Sequence, residues 1–290
     1  MEALKGIIEF RLRKYWYKYQ QHKLKIKIIK YLKIDSKNND QEKKEIIDYL
    51  KKNSLSVFPY NFTKKYNPND VTVYTDNVCG LKYIIQDNKK LYFKKKWDEN
   101  KIKNYYNSLR LEQDIDSPHR YEAGDFHVNE GDIVVDAGVA EGNFALSVVE
   151  KVKKIYLFDA DDEWIEALKE TFAPWKEKVE IICKYVSDNN DNKSIALDTV
   201  FEKRKIDFIK ADIEGDEIAL IKGCKNILLN TEKLKIVMCT YHNQDDSKKI
   251  KNELEDFGFT TEFSKGYMIF IYDKLSAPFL RKGIIRGQKM

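Results

Sequence analysis

The sequence predicts an α/β fold: a mostly parallel, doubly wound sheet in the second half of the chain, preceded by an α+β region. Three observations predict it. Short, almost continuous apolar runs recur between residues 133 and 239. Stretches of helical period separate them. A glycine-bearing turn, Asp136-Ala137-Gly138-Val139-Ala140-Glu141-Gly142-Asn143-Phe144, follows the first run directly.

The runs are Ile133-Val134-Val135, Ile155-Tyr156-Leu157-Phe158, Val179 to Cys183, Ile206 to Ile209 and Leu234 to Cys239. Runs without polar alternation belong to strands covered on both faces. Helices are expected over 143–151, 162–172, 216–229 and 245–257, and the stretch between Cys183 and Ile206 has no clear signal. The last runs, Phe259 to Phe263 and Tyr267 to Tyr272, flank Ser264-Lys265-Gly266 and are expected to form an antiparallel hairpin at the sheet edge. The α/β domain then spans 121–273, and 274–290 is left as a basic tail.

The first half, 1–120, has a different character. Residues 1–34 interleave Arg11, Arg13, Lys14, Lys18 and Lys23 with Tyr15, Trp16, Tyr17 and Tyr19, and part of the segment should be helical. It is open to three readings: a solvated helix packed on the protein, an arm touching an acidic membrane surface, or a contact to a phosphate-bearing substrate. The polar run 36–45 resembles a linker, and Asp40 is placed to cap a helix over 41–52 with Ile46, Ile47 and Leu50 inward. Val71 to Tyr74 suggests a short strand. Leu81 to Ile85 and Leu91 to Phe93 flank Asp87-Asn88 as a hairpin. Residues 98–113 carry Ile102, Tyr105, Tyr106 and Leu109 at helical spacing. No catalytic constellation is visible here; an acceptor-binding or assembly role is the expectation.

Composition excludes several classes. The net charge is +5 over 290 residues, too mild for a dedicated nucleic-acid binder. The four cysteines, Cys79, Cys183, Cys224 and Cys239, form no C-x-x-C pair, so neither a zinc site nor a disulfide framework is indicated. No apolar stretch is long enough to span a bilayer, and lysines and arginines interrupt the N-terminus where a signal peptide would be apolar. A cytoplasmic protein is expected.

Ligands of doubly wound sheets bind beyond the carboxyl ends of the strands. In the first turn, Gly138 permits a tight bend and Gly142 opens the next helix; Asp136, Glu141 and Asn143 share that turn. The glycines are four apart, unlike G-x-G-x-x-G, and no Gly-Lys-Ser/Thr follows, which disfavours a dinucleotide or a nucleoside triphosphate. Asp159, with Ala160 beside it, ends the second strand 21 positions beyond Gly138, where a carboxylate would bind ribose hydroxyls. Asp159 could instead cap the next helix, although Asp161 or Asp162 can do that. After the third strand, Ser187 or Asp188 falls where an adenine edge would lie.

The fourth strand and its loop read Ile206-Asp207-Phe208-Ile209-Lys210-Ala211-Asp212-Ile213-Glu214-Gly215-Asp216-Glu217, continuing into Leu220-Ile221-Lys222-Gly223. Together with Asp136, Gly138 and Gly142, this resembles the FkbM family of methyltransferases, whose strand ends in Lys-x-Asp-x-Glu-Gly and whose turn reads Asp-x-Gly-x-x-x-Gly. The family's second strand usually ends in Glu-Pro, whereas this chain has Asp159-Ala160. The resemblance covers about 121–273. It implies a Rossmann-like sheet with a reversed C-terminal hairpin, S-adenosylmethionine as donor and an oxygen as acceptor. It also implies a link to surface polysaccharides.

Alkylating a sugar hydroxyl requires removal of a proton that the hydroxyl holds tightly at neutral pH. His242, after the fifth strand, is the preferred base. Asp212 is an alternative base or an orienting group, and Lys210 could stabilise a developing alkoxide. Glu214 could bond the backbone of its own turn. No metal is expected, although Asp212 with His242 or Asn243 would be the place for a divalent ion. His119-Arg120-Tyr121 could line the donor pocket or simply pack. The expected partner is a sugar, nucleotide-sugar or glycan acceptor, with no specific nucleic acid. The rivals are a nucleic-acid methyltransferase, favoured by the basic N-terminus; a non-catalytic module of the same fold; and an NAD-dependent oxidoreductase, disfavoured by the glycine spacing.

Overall fold

The computed structural model describes residues 2–35, 40–202, 204–271 and 275–289, with side chains from Tyr15 onward. Ser36 to Asn39 of the polar run and Tyr272 of the expected hairpin lie outside the described residues. The first half contains α1 (Glu2–Asp35), α2 (Gln41–Lys52), β1 (Tyr74–Thr75), β2 (Lys82–Gln86), β3 (Lys89–Tyr92) and α3 (Glu99–Glu112). The second half runs β4 (Ile133–Ala137), α4 (Asn143–Val148), β5 (Lys154–Asp159), α5 (Asp162–Phe172), β6 (Val179–Cys183), β7 (Tyr185–Val186), β8 (Ser194–Ile195) and α6 (Leu197–Val200). It continues with β9 (Phe208–Ala211), α7 (Glu217–Gly223), α8 (Lys225–Asn230), β10 (Leu234–Cys239), α9 (Asp246–Asp256), β11 (Thr260–Phe263) and β12 (Ile284–Lys289).

Local chemistry explains the boundaries. Asp40 and Asp98 cap α2 and α3 by accepting from the backbone N–H of Lys43 and Lys101, at 3.2 and 2.7 Å. Asp87 and Asn88 both take positive φ, 49° and 63°, which closes the β2–β3 hairpin as a two-residue turn. Asp161 caps α5 through the Glu163 N–H, so Asp159 is not the cap.

Seven strands form the main sheet in the order β11-β12-β10-β9-β4-β5-β6. β10, β9, β4, β5 and β6 pair in parallel, and β12 runs antiparallel to both of its neighbours. The chain reverses direction across the sheet between β4 and β9, so the loops after these two strands border the crevice where such folds bind ligands. Alternate side chains go to opposite faces. Val134, Leu157 and Phe208 join a core shared with Ile28, Leu50, Ile84, Leu91 and Ile102 of the first half, while Val135, Phe158 and Ile209 pack under Leu220, Leu228 and Ile250. The first half is thus seated on one face of the sheet.

The C-terminus differs from expectation. β11 pairs with Ile284–Lys289 rather than with residues 267–271, and the segment read as a basic tail supplies the antiparallel strand next to the sheet edge. Its lysines and arginines mask Ile284 and Ile285, both fully buried. Arg286 is tolerated inside because its guanidinium donates to the carbonyls of Arg120 and Tyr121, at 2.6 and 2.9 Å. The chain between β11 and β12 turns back over the first half, where the Ile269 N–H meets the Val57 carbonyl at 2.9 Å. The expected 216–229 helix is broken at Cys224 into α7 and α8. No described helix is long and apolar enough to cross a membrane.

Candidate active site

Two clefts open side by side at the carboxyl ends of the parallel strands. The first, about 400 Å³, is lined by Gly138, Ala140, Asp159, Ala160, Tyr185, Val186, Asp212 and Glu214. The second, about 580 Å³, is lined by Tyr105, Glu112, Tyr121, Glu141, Lys210, Asp212, Tyr241, His242 and Phe270 among others. Gly138, Ala140, Asp212 and Glu214 belong to both, so the two spaces join there.

Gly138, just after β4, sits against Asp212, just after β9. Its φ is +72°, and a Cβ there would stand 1.9 Å from the Asp212 carbonyl oxygen. Only glycine lets the two loops approach so closely. Asp159 faces the same cleft as Gly138. Its Oδ2 accepts from the Ala140 N–H at 2.9 Å and its Oδ1 from the Asp161 N–H at 2.8 Å. Each carboxylate oxygen keeps further acceptor capacity, which is what a pair of ribose hydroxyls needs. The glycine bend and the distant carboxylate are therefore brought together.

Other residues of the turn are placed differently. Gly142 lines neither cleft. It takes φ +87° at the start of α4, and a Cβ would strike Phe172 and Leu168, so its role is close packing. Glu141 is buried, accepts from the Tyr105 hydroxyl at 2.7 Å and faces the second cleft, as does Asn143. Burial holds the Glu141 carboxyl above its usual range. Ser187 is not in the wall of the first cleft: its carbonyl packs against Gly223, and Tyr185 and Val186 take the place expected of it.

Asp136 and Lys210, paired across β4 and β9, form a buried ion pair of 2.9 Å, and the Lys210 ammonium also donates to the Gly138 carbonyl at 2.7 Å. Burial works to lower the Lys210 pKa, but Asp136 and Asp212 overcome it and keep the ammonium charged. Burial holds Asp136 above its usual range, with Lys210 opposing. Lys210 thus fixes the glycine turn with two of its three N–H donors and also borders the second cleft. Asp136 is behind the cleft, not in its lining.

Asp212 is the hub of the junction. It accepts from the hydroxyls of Tyr121 and Tyr241 at 2.9 and 3.3 Å, and its oxygens lie 3.7 Å from His119 Nε2 and 3.5 Å from His242 Nε2. Burial opposes its ionisation, but the histidines, Lys210 and Tyr121 outweigh that and lower its pKa to about 2. His119 is buried, and desolvation lowers its pKa to about 4, so it is a neutral partner of the Tyr241 hydroxyl at 3.2 Å. The second histidine of the site differs. His242 Nδ1 lies 3.1 Å from Oε1 of the fully buried Glu217. Burial lowers the His242 pKa, but Glu217 and then Asp212 more than reverse this, so it stands above 6.5. Nδ1 is the ring nitrogen nearer to a carboxylate, and Nε2 lies 3.5 Å from Asp212 on the side of the second cleft.

The sequence signals did not single out Glu217, Tyr105 or Glu112. Glu217 follows the Lys-x-Asp-x-Glu-Gly run closely, and that was its only signal. Tyr105 and Glu112 come from α3, far away in the chain. Burial and the charges of Asp212 and Glu141 raise the Glu112 pKa to about 8. Glu214, at φ +58°, borders both clefts rather than turning inward on its own loop. Asp212 with Glu217 and His242, and Asp212 with His119 and Cys239, each bring three ligand-type atoms within 4.8 Å of one another. In the first group His242 turns Nε2 toward Asp212 and Nδ1 toward Glu217, at 3.5 and 3.1 Å.

Residues 136–261 match the family model of the methyltransferase FkbM domain. A protein named as a probable cobalt-precorrin-6B C(15)-methyltransferase (decarboxylating) of Methanocaldococcus jannaschii is 26% identical over 144 residues, 48% of this chain and 68% of that one. A methyltransferase FkbM structure from Methylobacillus flagellatus KT aligns at 14% identity and a TM-score of 0.47, over 65% of this chain; the chain spans about half (53%) of that protein. A magnesium protoporphyrin IX methyltransferase of Synechocystis PCC 6803, solved with bound S-adenosylmethionine, aligns at 14% identity and a TM-score of 0.37, over 56% of this chain and 71% of its own. The family match over residues 136–261 takes in the whole lining of the first cleft, and over that stretch the chain resembles a methyltransferase FkbM domain.

Proposed function

We propose that this protein is an O-methyltransferase that holds S-adenosylmethionine in the first cleft and a sugar hydroxyl in the second, in glycan or polysaccharide biosynthesis. The observation that carries the proposal is the junction of the two clefts at Gly138, Ala140, Asp212 and Glu214, with His242 on the second side only. A donor and an acceptor held in adjoining spaces meet where the spaces meet.

Bound in the first cleft, the donor supplies an electrophilic sulfonium methyl. Asp159 would hold the ribose hydroxyls, and Tyr185 and Val186 would flank the base. In the second cleft, Tyr105, Tyr121, Tyr241 and Phe270 give a sugar ring aromatic walls, and Glu112 and Glu141 give its hydroxyls polar partners. His242 Nε2 would take the acceptor proton as the oxygen bonds to the methyl carbon, the carbon–sulfur bond breaks and S-adenosylhomocysteine leaves. Glu217 keeps the proton on Nδ1, and the Asp212 carboxylate stabilises the imidazolium that forms. The acidic lining disfavours a phosphodiester chain in the second cleft, which weighs against a nucleic-acid acceptor.

The test is mass spectrometry of nucleotide sugars and oligosaccharides incubated with protein and S-adenosylmethionine. Methyl gain on a sugar oxygen, lost in His242→Gln, is the expected result. Methylation of RNA with no sugar modified would overturn the proposal.

A further inference from the structure

Helix α1 concentrates the positive charge of the chain. Between Glu2 and Asp35 it has ten lysines and arginines against three carboxylates, a net +7 in a chain whose total is +5, so the remaining residues sum to −2. Among its described side chains the C-terminal part is anchored: Ile28 and Leu32 are fully buried against the first-half core. Further up, Tyr15, Trp16, Tyr17, Lys18 and Tyr19 are exposed at five successive positions. Five positions go more than once around a helix, so no face of this turn is covered by the described residues. Trp16 is 64% and Tyr15 74% exposed, unusual for such large rings.

We propose that α1 is an arm that seats this aromatic, basic turn on an anionic phospholipid surface. Indole and phenol rings settle at the level of lipid headgroups, where an apolar body and a polar tip are both satisfied. Lys18, Lys23, Lys27 and Lys30 are exposed along the same helix and supply attraction to an acidic leaflet. The charges also keep α1 at the surface, because it is not apolar enough to cross a bilayer. A nucleic acid is the poorer partner: the rings surround the helix instead of forming one stacking platform, and the charge outside α1 is net negative.

The experiment is co-sedimentation of the full chain with vesicles of phosphatidylcholine, with and without one-third phosphatidylglycerol, together with tryptophan emission. Binding is expected only to the anionic vesicles, weakening with salt, with a blue shift that Trp16→Phe removes. The triple variant Tyr15→Ser, Trp16→Ser, Tyr17→Ser keeps every charge and is expected to partition about tenfold less, with an unchanged melting temperature. No binding to anionic vesicles, equal binding by the triple variant, or RNA binding without vesicle binding would each overturn the proposal.

Discussion

Glu217→Gln isolates the pairing that sets the strength of the proposed base. Glu217 is fully buried, and its Oε1 serves both the Ile213 N–H at 3.2 Å and His242 Nδ1 at 3.1 Å. Glutamine keeps the volume and an acceptor oxygen but removes the charge. A hydrogen bond to a charged group stabilises by about 1.5–3 kcal/mol, against about 1 kcal/mol for a neutral one. The difference, about 1.4 kcal/mol, corresponds to a pKa change of about one unit. Because Glu217 is the largest influence raising the His242 pKa, its loss lowers it. The chain has four histidines, so the imidazole resonances can be titrated by NMR and His242 assigned from its loss in His242→Gln. In the wild type the midpoint lies above 6.5, and in Glu217→Gln it falls by about one unit. Methyl transfer needs neutral His242, so the rising limb of rate against pH moves the same way. In stability the sign is opposite: the pairing stabilises the fold fully below the unfolded histidine pKa and is lost as pH rises through the folded value. A midpoint that stays in place or moves upward would refute the reasoning.

Three other variants separate structure from chemistry. Lys210→Met leaves Asp136 as an uncompensated buried carboxylate; it should cost about 3–5 kcal/mol, read as a large drop in melting temperature, and a merely slower enzyme of normal stability would contradict the structural role. Gly138→Ala places a Cβ 1.9 Å from the Asp212 carbonyl oxygen at φ +72°; the expected cost is about 2–4 kcal/mol by thermal melt, with loss of donor binding, and wild-type behaviour would contradict the close approach. His242→Gln should leave S-adenosylhomocysteine affinity unchanged in calorimetry while methyl transfer falls about 10²- to 10⁴-fold; a parallel loss of binding would move His242 into the donor site.

The parallel sheet was legible because its strands are apolar without alternation and its helices carry capping aspartates, as at Asp161. The crevice was legible because Gly138 and Asp159 follow strands directly, and strand ends converge in this topology. The second cleft was not. Tyr105, Glu112 and Phe270 come from α3 and from the chain between β11 and β12, and no local pattern announces that they converge on the ends of β4, β9 and β10. Lys210 and Asp136 were legible as motif residues at strand ends, but their pairing across β4 and β9 was not, because only the sheet register brings them together. The strand β12 was hidden because two buried isoleucines are embedded among lysines and arginines, and its partner is set by long-range pairing rather than by a local turn.

The central claim is that one carboxylate, Asp159, holds the donor in the cleft that Gly138 borders. Calorimetric titration of S-adenosylhomocysteine into the wild type and into Asp159→Ala measures this directly. Loss of two charge-assisted hydrogen bonds, about 3 kcal/mol together, predicts roughly a hundredfold weaker binding in a variant that remains folded. Equal affinity in the two proteins, or no heat with the wild type, would contradict the account.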